Sequence, residues 1–413
     1  MKFENIICTG CSLLCDDVDI EVQDGRVLKT WGACSHGNNR LKGLYENRLA
    51  KPVVDGSQVD IDKAIEVLAE RLKSSKMPVI YGGESSSNKA IELALKLAEK
   101  LNAVYDAPPS ICRLLLPLQG EYGVEAKSFD EILNEADFLL YWGVSIADTH
   151  LRHASRYAVM PRGTVTKMGR ENRVVAMVDV RESISMKIAQ HKIVIDPCGD
   201  SDLAKAIEAS LEGLMPSLSP ALSRQVALLT SDIKNSSFIA MFIGPKLMMC
   251  KNPEEKVRSL LSLARKLRDL RGKCSVHPVA ENVNSYGQAK MTLKLLGTCK
   301  PYSFRDKAPT EPLHILALKG DVDFVFSLNS DFMSQLPWSA CSMLKGKIAC
   351  TTELKTITQA NSSIAIPVLA LGIEAGGVVT RTDGVDVELK PFMKTSEELI
   401  SEEEVLSRLL ASI

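Results

Sequence analysis

Net charge is almost missing from this sequence: across 413 residues, 50 lysines and arginines stand against 51 aspartates and glutamates. A chain so balanced has no overall field to draw it to nucleic acid or to an anionic membrane, so any basic patch must be local. Long apolar runs are missing too. Ile364–Gly372 is one of the longest, far short of the roughly 20 residues that cross a bilayer. The opening Met1–Asn5 turns polar and then cysteine-rich, with no apolar export segment. The expectation is a soluble, cytoplasmic protein that engages neither membrane nor nucleic acid. No repeat of roughly 20–50 residues and no low-complexity tract stands out. Charged residues make up 24% and hydrophobic ones 45%, a balance that excludes a disordered, collagen-like or coiled-coil chain. The length suits two or three packed lobes rather than one core.

Cysteine is too sparse for a disulfide scaffold, and its count of eleven is odd. In a cytosolic chain, clustered cysteine points to metal or redox use instead. One cluster is tight: Cys8, Cys11 and Cys15, with Cys34 further on, in the pattern C-x2-C-x3-C-x18-C. Such short spacings turn neighbouring thiolates onto one centre, and a distant fourth closes it, which suits a tetrahedral zinc or a [4Fe-4S] cube. Between them Val18–Val22 alternates like a strand, Gln23-Asp24-Gly25-Arg26 reads as a hairpin turn, and Val27–Thr30 returns. Zinc ribbons favour two C-x2-C knuckles and only one is present, so an iron–sulfur cluster is the preferred reading. The others, Cys112, Cys198, Cys250, Cys274, Cys299, Cys341 and Cys350, each read alone as small buried hydrophobes.

Beyond a β-rich cap over 1–50, the chain repeats one grammar. Ile61–Lys73 has helical apolar spacing, Met77–Gly83 reads as a buried strand ending in glycines, and Asn88–Leu101 as a second helix. Strand, glycine turn and helix form the unit of a parallel α/β sheet, which holds ligands at the carboxyl ends of its strands. Further strands are expected at Phe138–Gly143, Arg173–Asp179, Lys192–Asp196, Phe238–Ile243, Asp323–Leu328 and Lys347–Thr351, with helices from about Asp200 and over Glu254–Leu270. Ser217–Ser223, rich in proline and serine, reads as a hinge between lobes, and Glu397–Glu404 as the solvated face of an acidic terminal helix. From His150 to Lys192 nine cations (Arg152, Arg156, Arg162, Lys167, Arg170, Arg173, Arg181, Lys187, Lys192) face only Glu171, Asp179 and Glu182. That clustering implies bound anions such as phosphates at strand-end loops; a solvated basic face is the bland alternative. Nucleic acid would want interleaved aromatics, and only Tyr157 is present.

These residues resemble a known family. C-T-G-C-S-L-L-C at Cys8–Cys15, the V-x-D-G-x-V hairpin and G-A-C-S-H-G at Gly32–Gly37 are similar to the iron–sulfur cap of the molybdopterin-guanine-dinucleotide oxidoreductases. Cys15-Asp16-Asp17, Tyr141-Trp142-Gly143, Arg152-His153, Pro161-Arg162-Gly163, Val178-Asp179 with Arg181, and Arg381–Val385 extend the resemblance towards the redox-subunit family of formylmethanofuran dehydrogenases. The resemblance implies an iron–sulfur cap over 1–50 followed by two formate dehydrogenase-like α/β lobes. One would span 51–133 and 236–395 and carry the metal-ligand cysteine, and a dinucleotide-binding lobe would span 134–235. An acidic helix over 396–413 would end the chain, which lacks the β-barrel that covers the pterins in stand-alone relatives. The implied cofactors are a [4Fe-4S] cluster on Cys8, Cys11, Cys15 and Cys34, and a bis-molybdopterin guanine dinucleotide with tungsten or molybdenum. By position, Cys112 would bind that metal and Arg113 would line its pocket. Gly143, Ser145, Asp179, Arg181, Gly199 and Asp200 would contact one dinucleotide, and Asn284, Gly287 and the Glu374–Asp383 loop would approach the cofactor from the other lobe. The implied activity is reduction of CO2 to formate with electrons from ferredoxin, in a complex with a small pterin-covering subunit, an amidohydrolase-like subunit and ferredoxin-type electron-transfer subunits.

Three positions depart from the family pattern. Arg113 stands where a histidine is usual, Ala280 where an active-site arginine is usual, and Cys198 where a glycine follows the strand-end proline. A permanently charged Arg113 suits anion binding but cannot shuttle a proton near neutral pH. The rival readings are a cofactor-bearing paralogue with another small substrate, a non-redox subunit of a formyltransferase/hydrolase complex, and a zinc-capped α/β scaffold.

Overall fold

Unbroken apolar runs such as Phe138–Trp142 and Ile239–Ile243 are buried at every residue, as a parallel sheet covered on both faces requires. A computed structural model of the chain describes residues 1–215, 217–393 and 398–413. By its internal contacts the chain divides into two units. Unit 1 comprises Met1–Pro109, Asn282–Arg381 and Asp386–Ile413, and unit 2 comprises Ser110–Glu281 with Thr382–Val385.

Unit 1 opens with the cap, an antiparallel sheet of β1 (Lys2–Ile6), β2 (Val18–Gln23) and β3 (Arg26–Trp31), followed by α1 (Ser35–Gly43). Asp24 and Gly25 both have positive φ at the β2–β3 turn, the conformation that two-residue hairpins favour. A short hairpin, β4 (Val53–Val54) and β5 (Ser57–Gln58), leads to α2 (Ile61–Ser74), β6 (Pro78–Gly82), α3 (Asn88–Lys100) and β7 (Val104–Asp106). Asp60 caps α2 by accepting from the Lys63 amide, and Ala64, Ile65, Leu68, Ala69 and Leu72 make its buried stripe.

The chain then builds unit 2: α4 (Ile111–Tyr122), α5 (Phe129–Glu135), β8 (Phe138–Trp142), short α6 (Ile146–Thr149) and α7 (His153–Arg156), β9 (Val174–Asp179), β10 (His191–Val194), α8 (Asp200–Leu211), α9 (Pro220–Asn235), β11 (Ile239–Ile243), α10 (Pro253–Arg271) and β12 (Cys274–Pro278). Its sheet is parallel throughout, in the order β10-β9-β8-β11-β12. The order reverses between β8 and β11, a topological switch point.

On return, unit 1 adds α11 (Ser285–Leu296), β13 (Tyr302–Ser303), β14 (Ala308–Pro309), α12 (Leu313–Lys319), β15 (Phe324–Leu328), α13 (Trp338–Met343), β16 (Ile348–Thr352), α14 (Ile357–Ala360), β17 (Ile364–Pro367), the hairpin β18 (Gly377–Thr380) and β19 (Asp386–Leu389), and α15 (Glu402–Ser412). The resulting sheet runs β14-β13-β7-β6-β15-β16-β17-β4-β5, with β7, β6, β15, β16 and β17 parallel. Ile80 and Phe326 face a core shared with α2, α3 and α15, while Val79, Tyr81 and Val325 face one shared with α12 and α13.

Two expectations change here. β11 and β12 pair with β8 and not with the sheet of β6 and β15, so the dinucleotide-lobe boundary expected at 235 lies at Glu281, and Cys112 falls in the same unit. Periodicity marks a strand but carries no information about which neighbour it pairs with. The hinge expected at Ser217–Ser223 is a helix start inside unit 2: Ser219 caps α9 by accepting from the Leu222 amide, with Pro220 as the first helical residue. Residues 396 and 397, where the acidic terminal helix was expected to begin, lie outside the described residues.

Candidate functional site

At the switch point of unit 2 the loops after β8 and β11 meet backbone to backbone. Gly143, with φ of +64°, donates its amide to the Val178 carbonyl at 2.9 Å. A Cβ on Gly244 would fall 2.3 Å from the Gly143 carbonyl oxygen, so the approach requires glycine there. Ser145 is buried and shares a 2.9 Å hydrogen bond with Ser185. Asp179, at the carboxyl end of β9, is buried and ion-paired with Lys246 from the loop after β11. In a dinucleotide fold the end of the second strand is where a carboxylate receives the ribose hydroxyls, and β9 is second in this sheet. Gly199 and Asp200 open α8, and Asp200 accepts from the Trp142 indole at 2.7 Å, which fastens the helix start to β8. Arg181 is exposed two residues beyond β9. Sequence reasoning missed Gly244 and Lys246. Their signal was the same strand-to-glycine grammar, in Ile239–Gly244, that marked Gly143.

Cys112 is fully buried in the first turn of α4, its amide donated to the Ser110 hydroxyl at 3.2 Å. Pro108 and Pro109 precede the cap and keep the helix from starting sooner. Arg113 follows, half-buried. The helix is held to β12 by Gln119, which donates to the Val276 carbonyl at 2.9 Å.

The basic stretch is only partly available to anions. Arg173 is buried, and its guanidinium donates to the carbonyls of Ala136, Val159, Pro161 and Leu133 and to the Thr166 hydroxyl. Arg170 donates to the Ile188 carbonyl. These two cations hold the fold of unit 2. Three imidazoles, His150, His153 and His277, also belong to this unit. Burial lowers His153 to about 3, with His150 and His277 adding to the effect, and lowers His277 to about 4. Both are neutral at ordinary pH, packed against Phe242 and Phe129.

In the cap, Cys8 donates its amide to the Cys15 carbonyl at 2.8 Å, and Cys34 occupies the cap position of α1. Burial pushes the Cys11 thiol up to about 12, with the charges of Cys15, Cys8 and Cys34 adding, so the four sulfurs share one electrostatic neighbourhood. A Cβ on Gly37 would lie 2.9 Å from the Cys8 sulfur and one on Gly10 2.9 Å from the Gly37 amide nitrogen, so glycines let the two cysteine segments close on each other. Among the described residues no three His, Cys, Asp or Glu side chains are grouped as for a single metal ion. A cube binds each thiolate at a different corner and sets them further apart than one ion does, and the cap fits it in donor type and neighbourhood.

The scattered cysteines divide. Cys274, Cys299, Cys341 and Cys350 are buried as expected, with burial pushing Cys274 and Cys350 up to about 12. Cys198 and Cys250 instead form a disulfide.

Of the residues expected to reach the cofactor from the other lobe, Asn284, Gly287 and Glu374 are engaged within unit 1 and Asp383 within unit 2. Buried Asn284 donates to the Ser86 carbonyl at 2.7 Å and to Asn88 Oδ1 at 3.0 Å, and accepts from the Thr380 amide at 2.7 Å. A Cβ on Gly287 would stand 2.0 Å from Asn284 Oδ1, so Gly287 makes room for that clasp. Glu374 pairs with Arg48 at 2.6 Å, and Asp383, in the short segment belonging to unit 2, accepts from the Phe129 amide at 2.7 Å.

Unit 1 has its own strand-end crevice, lined by Ser85–Ser87, Asn329, Glu353 and the start of α15. The acidic helix start is not a solvated face. Ser87 donates to Glu403 and Thr351 to Glu402. Burial foremost raises Glu402 to about 7, the carboxylates of Glu353 and Glu403 adding while the hydroxyls of Ser86 and Thr351 offset part of it.

The B subunit of tungsten-containing formylmethanofuran dehydrogenase 2 from Methanococcus maripaludis is 27% identical over 435 residues, covering 100% of this chain and 98% of that one. Its counterpart from Methanocaldococcus jannaschii is 28% identical over 427 residues, covering 99% and 98%. The chain resembles this formylmethanofuran dehydrogenase component along its whole length. No family model matches the sequence. Among solved structures, acetylene hydratase from Pelobacter acetylenicus superposes with a TM-score of 0.71 at 12% identity, covering 99% of this chain and 69% of that one. A chain of the formyltransferase/hydrolase complex from Methylorubrum extorquens, solved with methylofuran, superposes with a TM-score of 0.64 at 19% identity, covering 87% and 97%. These two likenesses establish a shared mixed α/β fold. No helix among the described residues is long and apolar enough to cross a membrane.

Proposed function

We propose that this chain is the redox subunit of a formylmethanofuran dehydrogenase complex, reducing CO2 to formate in the cytoplasm with electrons from ferredoxin-type subunits. The observation that carries the reading is full-length similarity to the tungsten-containing relatives, joined to a buried thiol at Cys112 and a switch-point crevice in the same unit. Tungsten or molybdenum held by two pterin dinucleotides supplies two-electron exchange with CO2 when bound.

The chain's own residues do the rest. Cys112 offers a soft thiolate ligand suited to that metal. Arg113, always cationic, orients an anionic formate and leaves proton transfer to other groups. In unit 2 Asp179 receives ribose hydroxyls, while Lys246, its present partner, and the glycine loops of Gly143 and Gly244 meet the pyrophosphate. Asn284 and Gly287 support this indirectly, by fixing α11 in unit 1. Cys8, Cys11, Cys15 and Cys34 would hold a [4Fe-4S] cluster, which would supply one-electron transfer when bound. A small subunit covers the pterins, and an amidohydrolase-like subunit takes the formate.

Anoxic purification of the complex with iron, sulfide, tungsten, molybdenum and pterin analysis tests the reading. Cys112→Ser should abolish viologen-linked formate oxidation while unit 2 stays folded; unchanged turnover would remove Cys112 as the ligand. A second reading, a non-redox formyltransferase/hydrolase subunit, draws support from the superposition that covers 97% of the Methylorubrum extorquens chain and from Ala280 at the expected arginine position. A complex free of iron, heavy metal and pterin would favour it.

A further inference from the structure

In the sheet of unit 2, β10 and β11 are not neighbours: β9 and β8 lie between them. Strands sit about 4.8 Å apart, so two strand ends separated in this way are roughly 14 Å from each other. Yet the segments that follow them converge. Cys198, four residues beyond β10, is disulfide-bonded to Cys250, seven beyond β11, with Cα atoms 5.6 Å apart. The two segments therefore meet at the starts of α8 and α10, which pack against each other at the carboxyl-end side of the sheet where Gly143, Ser145 and Asp179 lie.

Both segments carry crevice residues. Gly199 and Asp200 follow Cys198 directly into α8, and Lys246, paired with Asp179, stands four residues before Cys250. Cys198 has φ of +67°, a left-handed conformation that glycine adopts at no cost and other residues only when something holds them there. The bond to Cys250 is such a hold. Both cysteines are half-buried rather than sealed, so a small thiol has access. Lys256 donates its ammonium to the Cys198 carbonyl, placing positive charge beside the residue, which favours approach of an anionic thiolate.

We propose that Cys198 and Cys250 are a thiol–disulfide switch that clasps the unit 2 crevice, retaining its ligand when oxidised and releasing it when reduced. The reaction is exchange with a low-molecular-weight disulfide. Two protein S–H bonds and one reagent S–S bond break, and one protein S–S bond and two reagent S–H bonds form. The protein loses two electrons, and the reagent gains them with both protons. The pair stands on the geometry alone; that its ligand is a pterin dinucleotide rests on the function proposed above.

The anoxically purified complex, equilibrated in graded mixtures of glutathione and glutathione disulfide, tests both parts. Thiols are trapped by alkylation and counted by peptide mass, and pterin lost on gel filtration is followed with time. Cys198 and Cys250 should become protected together along one two-electron curve while the cap thiols do not follow it. Pterin loss from the oxidised complex should be about tenfold slower than from the reduced one, an ordinary coupling between two sites. Cys198→Gly, which keeps the backbone conformation, and Cys250→Ser should both lose pterin at the reduced rate in every mixture. Alkylation of both cysteines in all mixtures, or protection that persists in excess dithiothreitol, would overturn the switch. Equal pterin loss in both states would overturn the clasp. A complex without pterin in which the two thiols still titrate together would sink the proposed function and leave the switch standing.

Discussion

Glu402 gives unit 1 a pH dependence whose size follows from its surroundings. It stands half-buried at the first turn of α15, near Glu353 and Glu403, and its carboxyl group is raised from 4.5 to about 7, desolvation foremost. Arg40 pairs with Glu353 and Ser87 donates to Glu403, while Glu402 accepts from the Thr351 hydroxyl. A carboxyl raised on folding stabilises the packed state at low pH, and that contribution is lost as the pH climbs through 7. If α15 opens locally and Glu402 returns to 4.5, the opening constant should rise roughly 70-fold, or about 2.5 kcal/mol, between pH 5 and pH 8. Hydrogen exchange of the Val405–Leu409 amides, corrected for the intrinsic rate at each pH, measures this. Glu402→Gln keeps the shape and removes the titration, so its protection should stay level and exceed that of the parent at pH 8. Equal slopes in parent and variant would refute the burial argument.

Other outcomes follow from packing. Arg173→Met leaves four carbonyls and a hydroxyl without their donor, and unit 2 should lose roughly 3–5 kcal/mol of stability in denaturant titration. Gly287→Ala drives a methyl into Asn284 and should cost more than about 2 kcal/mol, read as loss of protection in α11. Lys246→Met strands the Asp179 carboxylate and removes the cation proposed for the pyrophosphate; purified complex should carry less pterin, while Lys246→Arg should restore part of it. Complete reduction of the Cys198–Cys250 bond, which joins residues 52 apart in sequence, should lower the stability of unit 2 by about 4 kcal/mol on the chain-entropy estimate.

What the sequence made legible was local. Buried strands such as Phe138–Trp142 carry their own apolar signature, the cap hairpin carries its Asp24-Gly25 turn, and the cysteine spacing marks the cap on its own. Pairing was not legible, because Phe238–Ile243 reads the same whichever sheet receives it, and so Lys246 and Gly244 escaped notice. Charge was legible as number but not as use. Arg173 counts as a cation in the basic stretch although carbonyl oxygens enclose it, and Glu402 counts as a surface acid although hydroxyls draw it inward. Asn284 and Gly287 were marked for the cofactor; their geometry shows one side chain seated against the absence of another. The partner of Cys198 lay 52 residues away, and nothing short of tertiary structure joins the two.

Because unit 2 is spliced into unit 1, synthesis and assembly run out of step. β6 and β7 emerge early, but β15, which must lie against β6, leaves the ribosome only after Ser110–Glu281 has been made. At the usual pace of translation that delay is on the order of 10–30 s. Throughout it β6 presents an apolar strand with one side open, the kind of edge other chains adhere to. Only when β15 has been made does that side of β6 gain its partner.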